Sequence, residues 1–487
     1  MRTSKWISVL LVALLLAACQ PKTVIVKEVV TQIVEVQTEV TKIVAGTPVV
    51  ETVIETKVVE QEVVVTATTE ATVSPYDPDA PIKIMADTTR APIIDLFLET
   101  YPEYKDQLEL MTDSRGVFLT KLLLYNNVGA GWPDVIFHET SSLRTSNTAQ
   151  YDFYPADLSL WVAEDVIDEF YPGANAPCTT RDGKLICLRN DIAPNIFYYN
   201  VPKFEEFGYT VPTTWEEFIA LAEQVAEEHP GYIMGELDAW ATSRVWYIGS
   251  ECPMMNPITT SKIRVNFLHP NCQRVSKMLD DLNALGVLDT SGTFSAGLGD
   301  KWKAGEWLTW VGPVWEADFV IKGTYLDPEN PDNEGTVGMA PMPKWEDQSE
   351  VWTASVGGGG WSMSRHSENP ELAAKFIVFA TTHPSVTESA VTLAGHQPGG
   401  DAWAKALAGR SPLLAKDPDP FEAISFMAAR IWPDFQEGPP AVGSVASPLF
   451  TEVQGGNRTA LDIAEDLQAD LVNLVQTAGF EVEETGP

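Results

Sequence analysis

The chain has 487 residues, of which 45% are hydrophobic, and it carries a formal net charge of -36 at pH 7. A chain of this length can bury a large core and can form more than one domain. Its negative charge repels phosphate backbones and anionic lipid headgroups. The composition therefore argues against nucleic acid as a partner and against membrane binding through a basic patch.

The chain begins with a pattern that is typical of an export signal. Arg2 and Lys5 precede an apolar run over residues 6–18, which is shorter than the roughly 20 residues of a membrane-spanning helix. The run ends in Leu-Ala-Ala directly before Cys19, so it resembles a bacterial lipoprotein signal. That resemblance implies that residues 1–18 are removed, that Cys19 is lipid-modified and that the protein is held at the outer face of the cytoplasmic membrane. The alternative is an ordinary signal peptide with a chance cysteine.

A low-complexity tract follows the signal. Residues 23–73 are dominated by Val, Ile, Thr, Glu, Gln and Lys and contain no aromatic residue. Because this composition lacks the large apolar groups of a packed core, we expect residues 19–81 to form a lipid-anchored, non-globular stalk and linker. Its conformation stays open, since the valines fit a heptad seam and the β-branched residues equally fit an extended chain.

From residue 82 onward, short apolar segments alternate with amphipathic ones. The alternation predicts strands over residues 82–86, 108–112 and 134–137, and helices over residues 91–101, 116–127, 216–228, 371–382 and 457–476. A threonine followed by glutamate at the start of the third helix is typical of a capping box. Such an order of elements indicates an α/β fold with largely parallel sheets.

Four cysteines remain once Cys19 is assigned to lipid, an even number in an exported chain. An Asp-Gly turn signal lies between Cys178 and Cys187. We therefore expect these two to pair, and Cys252 to pair with Cys272, although three pairings are possible. A zinc site is the weaker alternative, because no CxxC or HxxxH spacing is present.

Several short blocks follow one another in a fixed order. They are GWPDVIF at 131–137, DGK at 182–184 with YN at 199–200, GYTVPTTW at 208–215, AGE at 304–306 with GP at 312–313 and Trp315, MAPMP at 339–343, and GGGG at 357–360 with NPELAAKF at 369–376. Together they resemble the extracellular solute-binding proteins of ABC importers, specifically the maltose-binding-like sugar binders of family 1. The resemblance covers most of residues 82–480.

The resemblance implies a two-lobe, periplasmic-binding-protein-like α/β fold with a ligand cleft between the lobes. Carried over block by block, it places the first crossing between lobes near residues 191–194 and the second near residues 337–339. It then assigns residues 82–190 and 338–395 to lobe one, and residues 191–337 and 396–487 to lobe two.

Sugar recognition needs flat apolar surfaces and side chains that both donate and accept hydrogen bonds. Trp315 lies in the block where the family places a stacking aromatic residue. Trp246 and Trp310 are reserve candidates for the same role, although we expect both in the core. The other expected ligand contacts are Asp87, Thr88, Arg90, His138, Glu139, Asp191, Asp238, Trp240, Gly359 and Trp361.

Some of these positions have a structural alternative. Asp87 fits helix capping, Asp191 fits a salt bridge at the first crossing, and Asp238 fits a solvated loop. Trp361 follows four glycines, which fit either close backbone approach to a ligand or a bend with a packed tryptophan.

Motifs of catalysis are missing from the sequence. There is no GxSxG or HExxH pattern, the six histidines lack metal-ligand spacing, and a carboxylate pair carries no information among 68 acidic residues. We therefore expect a binding protein without catalytic activity, cofactor or metal.

The expected function is that of a lipid-anchored extracellular receptor with a monomeric binding domain. It would capture a small carbohydrate and deliver it to the transmembrane subunits of an ABC permease. One alternative is the same kind of receptor for a polyol phosphate or an amine. Another is a surface enzyme or adhesin that acts on polysaccharide.

Overall fold

The computed structural model describes residues 25–44, 47–66, 76–139, 142–143, 146, 148–239, 241–259, 261–390, 392–432 and 442–484. The chain divides into two compact units, Met1–Val73 and Ser74–Pro487. In the part of the chain that is described, no helix has both the length and the apolar character needed to cross a membrane.

The first unit contains a long antiparallel hairpin. Its strands are β1 (Ile25–Val44) and β2 (Thr47–Thr66), and Ile25 lies opposite Thr66. The richness in Val, Ile and Thr favours this extended backbone because β-branched side chains restrict χ1. Of the two conformations left open for the tract, the structure therefore has the extended one. The expected lipidation site, Cys19, lies outside the described residues.

The described residues of the second unit form three sheets. The strands in chain order are β3 (Ile82–Ala86), β4 (Leu108–Thr112), β5 (Val135–Glu139), β6 (Leu188–Asp191), β7 (Asn195–Asn200), β8 (Met255–Pro257), β9 (Lys262–Val265), β10 (Thr309–Pro313), β11 (Val337–Ala340), β12 (Gly359–Met363) and β13 (Glu481–Glu484). The strand orders are β4-β3-β5-β12-β6, β10-β7-β11 and β13-β9-β8.

Helices cover these sheets. In chain order they are α1 (Pro92–Thr100), α2 (Phe118–Val128), α3 (Glu164–Asp168), α4 (Val201–Phe207), α5 (Trp215–Glu228), α6 (Thr242–Val245), α7 (Pro270–Ala284), α8 (Ala296–Lys303), α9 (Pro370–Thr382), α10 (Pro384–Thr387), α11 (Gln397–Arg410), α12 (Pro420–Ala428), α13 (Gly443–Gln454) and α14 (Ala464–Thr477).

The mixture of strands and helices confirms the α/β class, but the expectation of largely parallel sheets is wrong. β3 is parallel to β4 and β5, whereas β12 is antiparallel to both of its neighbours. In the second sheet, β10 and β11 are both antiparallel to β7. The reason is that β12 re-enters the first sheet from the second one, so it runs against the strands that precede it.

Most predicted elements form at their predicted places. α5 begins with a reciprocal capping box between Thr214 and Glu217, as the sequence indicates. The last helix begins later than predicted, at Ala464. The reason is local, because the Thr459 and Asp462 side chains accept each other's backbone N–H at 3.0 Å and form a turn ahead of the helix.

The first passage between the sheets is a short segment of the chain. Residues 192–194 join the end of β6 in the first sheet to the start of β7 in the second sheet. The second passage is not near residues 337–339, because β11 pairs with β7 inside the second sheet. The chain returns to the first sheet between β11 and β12, so the expected start of the returning lobe-one segment at residue 338 is wrong.

The returning segment runs beside the first passage. Ala193 donates its backbone N–H to Ser355 Oγ at 3.0 Å, and Asn195 donates its N–H to Thr353 Oγ1 at 2.8 Å. Two adjacent connections, which run antiparallel at Pro194 and Ser355, form a narrow joint between the sheets, around which domain closure can occur.

Both expected disulfides are confirmed. Cys178 pairs with Cys187 and Cys252 pairs with Cys272, with Cα–Cα distances of 4.9 and 4.7 Å. Trp246 and Trp310 are fully buried, so their expected place in the core is confirmed as well.

Candidate functional site

Charged residues gather at one edge of the first sheet. β3 is parallel to β5, and β12 is antiparallel to both β5 and β6, so β3, β5 and β6 all end at the same edge. Asp87 follows β3, Glu139 ends β5 and Asp191 ends β6. Open α/β sheets bind ligands outside the carboxyl ends of their strands, which makes this edge the candidate site.

These residues and two arginines form a chain of ion pairs, which we call the charged network. Arg90 lies 3.3 Å from Asp191 and 3.4 Å from Asp87. Arg115 lies 3.3 Å from Asp87 and 3.7 Å from Glu139. Asp191, Asp87 and Arg90 are buried, whereas 45% of the Arg115 side chain and 35% of the Glu139 side chain are exposed. The Arg115–Glu139 end of the network is therefore the part that a solute can reach.

The buried end of the network has a structural role. Asp87 accepts the backbone N–H groups of Thr89 at 2.8 Å and Arg90 at 3.1 Å and so holds the turn before α1. The alternative of helix capping by Asp87 is wrong, because the N-cap of α1 is Ala91 and no side chain caps it. Asp191 accepts the N–H of Gly359 at 2.7 Å. Thr88 is exposed in the same loop.

Three of the expected ligand contacts are instead buried in lobe one. His138 is 1% exposed, and burial lowers the pKa of its imidazole to about 3, so the ring is neutral. Trp361 is fully buried and donates its indole N–H to Asn190 at 2.9 Å. At Gly359, an added Cβ would lie 2.3 Å from the Phe137 ring. Consecutive residues along β5 and β12 are buried, so both faces of these strands are covered, and the expected roles of these residues in stacking or ligand contact are corrected.

The opposite side of the site carries three aromatic rings, which we call the aromatic platform. Phe294 and Trp315 have nearly parallel rings with centroids 6.5 Å apart, and Phe319 meets Trp315 edge-on at 6.4 Å. Phe294 is 59% exposed and Phe319 is 54% exposed. Trp315 donates its indole N–H to the Val356 carbonyl at 2.8 Å, which fixes the plane of its ring.

Phe294 has a backbone conformation that bulky residues rarely adopt. Its φ is +67°, in the left-handed region where a side chain is strained. Hydrogen bonds hold this loop in place, since Phe294 donates its N–H to the Tyr325 hydroxyl at 3.2 Å and Thr293 donates its N–H to Asp238 at 3.2 Å. Asp238 is 7% exposed, so it supports the loop that carries Phe294 from the buried side of that loop. The expected contact Trp240 lies outside the described residues.

A run of glycines joins the two halves of the site. Trp315 lies against Gly357, where an added Cβ would be 3.3 Å from the indole nitrogen. At Gly358 an added Cβ would lie 2.3 Å from the Asp191 carbonyl oxygen, and both glycines have positive φ. Only glycine permits this conformation and this close approach. The aromatic platform and the charged network therefore meet along one short stretch of backbone.

The sequence did not point to Arg115, Phe294 or Phe319. A usable signal existed for Phe294, because it is a large aromatic residue within the polar segment SGTFSAG at 291–297. Arg115 follows the end of β4 by a few residues, so it also lies at the edge where the strands end.

Comparison with known proteins identifies a family and several relatives. The bacterial extracellular solute-binding protein family matches residues 85–386. An arabinooligosaccharide-binding protein of Halalkalibacterium halodurans is 24% identical over 337 residues, which are 67% of this chain and 66% of that protein. The arabinooligosaccharide-binding protein of Bacillus subtilis is 22% identical over 285 residues, which are 58% of this chain and 63% of that protein. The chain thus matches just under two thirds of the length of these relatives.

Solved structures show the same fold. The sugar-binding protein MalE from Xanthomonas citri has a TM-score of 0.66 at 13% identity, covering 82% of this chain and 98% of that one. The galacto-N-biose-/lacto-N-biose I-binding protein of the ABC transporter from Bifidobacterium longum has a TM-score of 0.59 at 18% identity, covering 84% and 100%. The fold is therefore the two-lobe fold of periplasmic sugar-binding proteins.

The buried end of the charged network predicts a large effect on stability. Asp191→Ala would remove one partner of the buried Arg90 guanidinium and leave the Gly359 N–H without its acceptor. We expect the free energy of unfolding to fall by about 3 kcal/mol, as measured by urea denaturation. Asp281→Ala is the control, because its pair with Lys277 is exposed and should contribute less than about 0.5 kcal/mol. Equal losses in the two variants would contradict the structural role of Asp191.

Proposed function

The chain belongs to the bacterial extracellular solute-binding protein family, and we propose that it is the lipid-anchored receptor of an ABC importer. It captures a neutral oligosaccharide and delivers it to the transmembrane subunits of the permease. The observation that carries this proposal is the aromatic platform, which meets the charged network along residues 357–359. Aromatic faces cover the C–H surfaces of a sugar, and charged side chains with fixed geometry bind its hydroxyls.

The pairing of charges favours a neutral solute. Arg90 and Arg115 are each paired with carboxylates of the same network. A phosphate bound by Arg115 would lie beside Asp87 and Glu139, and an amine bound by Glu139 would lie beside Arg115. Neither charged ligand finds a site of uniform opposite charge, whereas a hydroxyl can both donate to a carboxylate and accept from a guanidinium.

The extent of the platform favours more than one sugar unit. Its three rings are spaced by 6.5 and 6.4 Å, and two of them are more than half exposed. A row of three rings offers more apolar surface than a single sugar ring covers. The two relatives named as arabinooligosaccharide-binding proteins support the same choice.

The family consists of solute-binding proteins rather than enzymes. A polysaccharide-acting enzyme is therefore not the function of this chain, and membership in the family supports a solute receptor over an adhesin. Binding is expected to act through closure, in which the platform of one lobe moves against the network of the other about the joint at residues 192–194 and 353–355. A ligand that contacts both lobes gains contacts only in the closed state, and that difference shifts the population.

A ligand screen by thermal shift tests the function directly. We expect arabinose and maltose oligosaccharides to raise the melting temperature, because a ligand at 100 times its Kd stabilises the native state by about 2.7 kcal/mol. Glycerol phosphate and spermidine are the comparison ligands. Stabilisation by either of these, with none by any oligosaccharide, would overturn the carbohydrate assignment.

Removal of the central ring tests the platform. Trp315→Ala takes away the stacking face that lies between two other rings, so we expect Kd for the stabilising sugar to rise at least about tenfold, or about 1.4 kcal/mol, in calorimetric titration. Trp161→Ala is the matched control, since Trp161 is 41% exposed and lines a separate groove with Tyr101 and Phe379. A Trp315→Ala protein that bound as tightly as the control would place the site elsewhere.

The lipid anchor has its own test. In the native host, Cys19→Ser removes the only residue that the signal offers for lipidation, so we expect the protein to move from the membrane fraction to the medium and to lose labelled palmitate. If the wild-type protein carries no label and is already in the medium, the export signal is an ordinary one.

A further inference from the structure

Buried acids lie next to the aromatic platform. Glu236, Asp238, Asp289 and Glu316 are between 1% and 7% exposed. Asp289 pairs with Lys301 at 2.9 Å, and Asp238 accepts backbone N–H groups of Ala241 and Thr293. Glu236 and Glu316 have a different environment, and neither residue belongs to the charged network.

Glu236 and Glu316 each leave one oxygen without a partner. Oε2 of Glu236 accepts the Thr293 hydroxyl at 2.6 Å, and Oε2 of Glu316 accepts the indole N–H of Trp310 at 2.7 Å. The Oε1 atoms of both residues are buried and have no hydrogen-bond partner. A buried ionised carboxylate in this state is costly, because neither water nor a donor compensates its charge.

Protonation, rather than a bound metal ion, neutralises the carboxylates of Glu236 and Glu316. Across the residues that the structure describes, no three His, Cys, Asp or Glu side chains are grouped so as to hold a metal ion. Burial raises the pKa of Glu236 well above its ordinary value and that of Glu316 to about 8. The negative charge of Glu316 raises the pKa of Glu236 further, and that of Asp238 raises the pKa of both acids. The remaining groups that face them are Asp238, Asp289 with Lys301, Tyr325, Tyr198 and Asp318.

We propose that Glu236 and Glu316 hold at least one proton between them at neutral pH, and that this protonated pair positions the two parallel rings of the aromatic platform. Each acid is linked to one ring. Glu236 binds the hydroxyl of Thr293, the residue before Phe294, and Glu316 is the residue after Trp315. The consequence for the ligand rests on the proposed function, but the proton itself does not.

The geometry makes both rings sensitive to these acids. Phe294 keeps a strained backbone that only its loop contacts maintain, and the Thr293–Glu236 hydrogen bond is one of them. The carboxylate of Glu316 is enclosed as well, because an added Cβ at Gly312 would lie 2.0 Å from its Oε2 atom. Ionisation of both acids would place two negative charges in a buried site where one oxygen of each has no donor. Relief of that cost requires water to enter or the side chains to move, and either change would displace Thr293 and Trp315, so deprotonation should separate the rings.

The expected pH dependence follows from the direction of the shifts. Both acids are harder to ionise in the folded protein than in the unfolded chain. Their contribution to stability is therefore most favourable at low pH, and it is lost as the pH rises from the unfolded value near 4.5 through the folded value of about 8 for Glu316. Platform geometry, and with it ligand affinity, should hold below that value and weaken above it.

Stability without ligand tests the proton. We expect the free energy of unfolding of the wild-type protein to fall between about pH 5 and pH 9, and we expect a clearly smaller fall in Glu236→Gln and in Glu316→Gln, whose amides cannot ionise. Glu99→Gln is the matched control, because Glu99 is exposed on α1 and should keep the wild-type slope. Identical slopes in all four proteins would overturn the proposal.

Affinity as a function of pH tests the positioning role. With arabinotriose as the probe, we expect Kd of the wild-type protein to rise about tenfold or more from pH 7 to pH 9, and Kd of Glu316→Gln to change less than about twofold over the same range. The same rise in both proteins would show that the pair does not position the rings. If neither protein bound any sugar while the stability slopes differed, the proposed function would fail and the retained proton would stand.

Discussion

The buried carboxylate of Asp191 accepts the backbone N–H of Gly359 and forms an ion pair with Arg90. One side chain thus connects the end of β6, the start of β12 and the loop after β3. The first passage between the sheets begins immediately after this residue, and the returning segment ends immediately before Gly359. Separating the buried carboxylate of Asp191 from the buried guanidinium of Arg90 would cost much free energy. This ion pair therefore holds the lobe-one side of the joint about which the lobes move.

The glycines that precede β12 extend this constraint to the aromatic side of the site. Gly357 lies against the indole of Trp315, and Gly358 lies against the backbone of Asp191. Side chains at these two positions would hold the platform and the network apart. The close approach of the two halves is thus a property of the backbone, and the side chains around it could vary without loss of the joint.

Negative charge is neutralised in different ways in the two halves of the site. In lobe one, carboxylates and guanidinium groups neutralise each other, and the exposure of these side chains increases from the buried Asp191 to the half-exposed Arg115. Next to the platform, Glu236 and Glu316 have no cation within the contacts that the structure gives them, and burial favours their neutral forms. Both arrangements leave a site with little net charge in a protein whose formal charge is -36. Whole-chain charge is therefore a poor guide to what a cleft binds.

Much of the structure could be predicted from the sequence, namely the features that depend on local information. Turn residues, capping patterns, cysteine spacing and alternation of apolar segments depend on neighbours along the chain, so they predicted the disulfides, α5 and most other elements. Ordered blocks of glycine, proline and tryptophan indicated the family and hence the two-lobe fold. The same blocks predicted Trp315 as a stacking residue, and in the structure its ring lies between those of Phe294 and Phe319.

Tertiary structure decided which residues face the cleft. Trp315 and Trp361 both lie next to glycine or proline-rich segments, yet one is on the platform and the other is in the core, since β12 is covered on both faces. His138 likewise lies in the core of lobe one. Arg115 and Phe294 belong to no recognisable sequence motif, yet the structure places both at the site. Exposure and pairing depend on which strands are adjacent, and that adjacency is set by contacts between residues far apart in sequence.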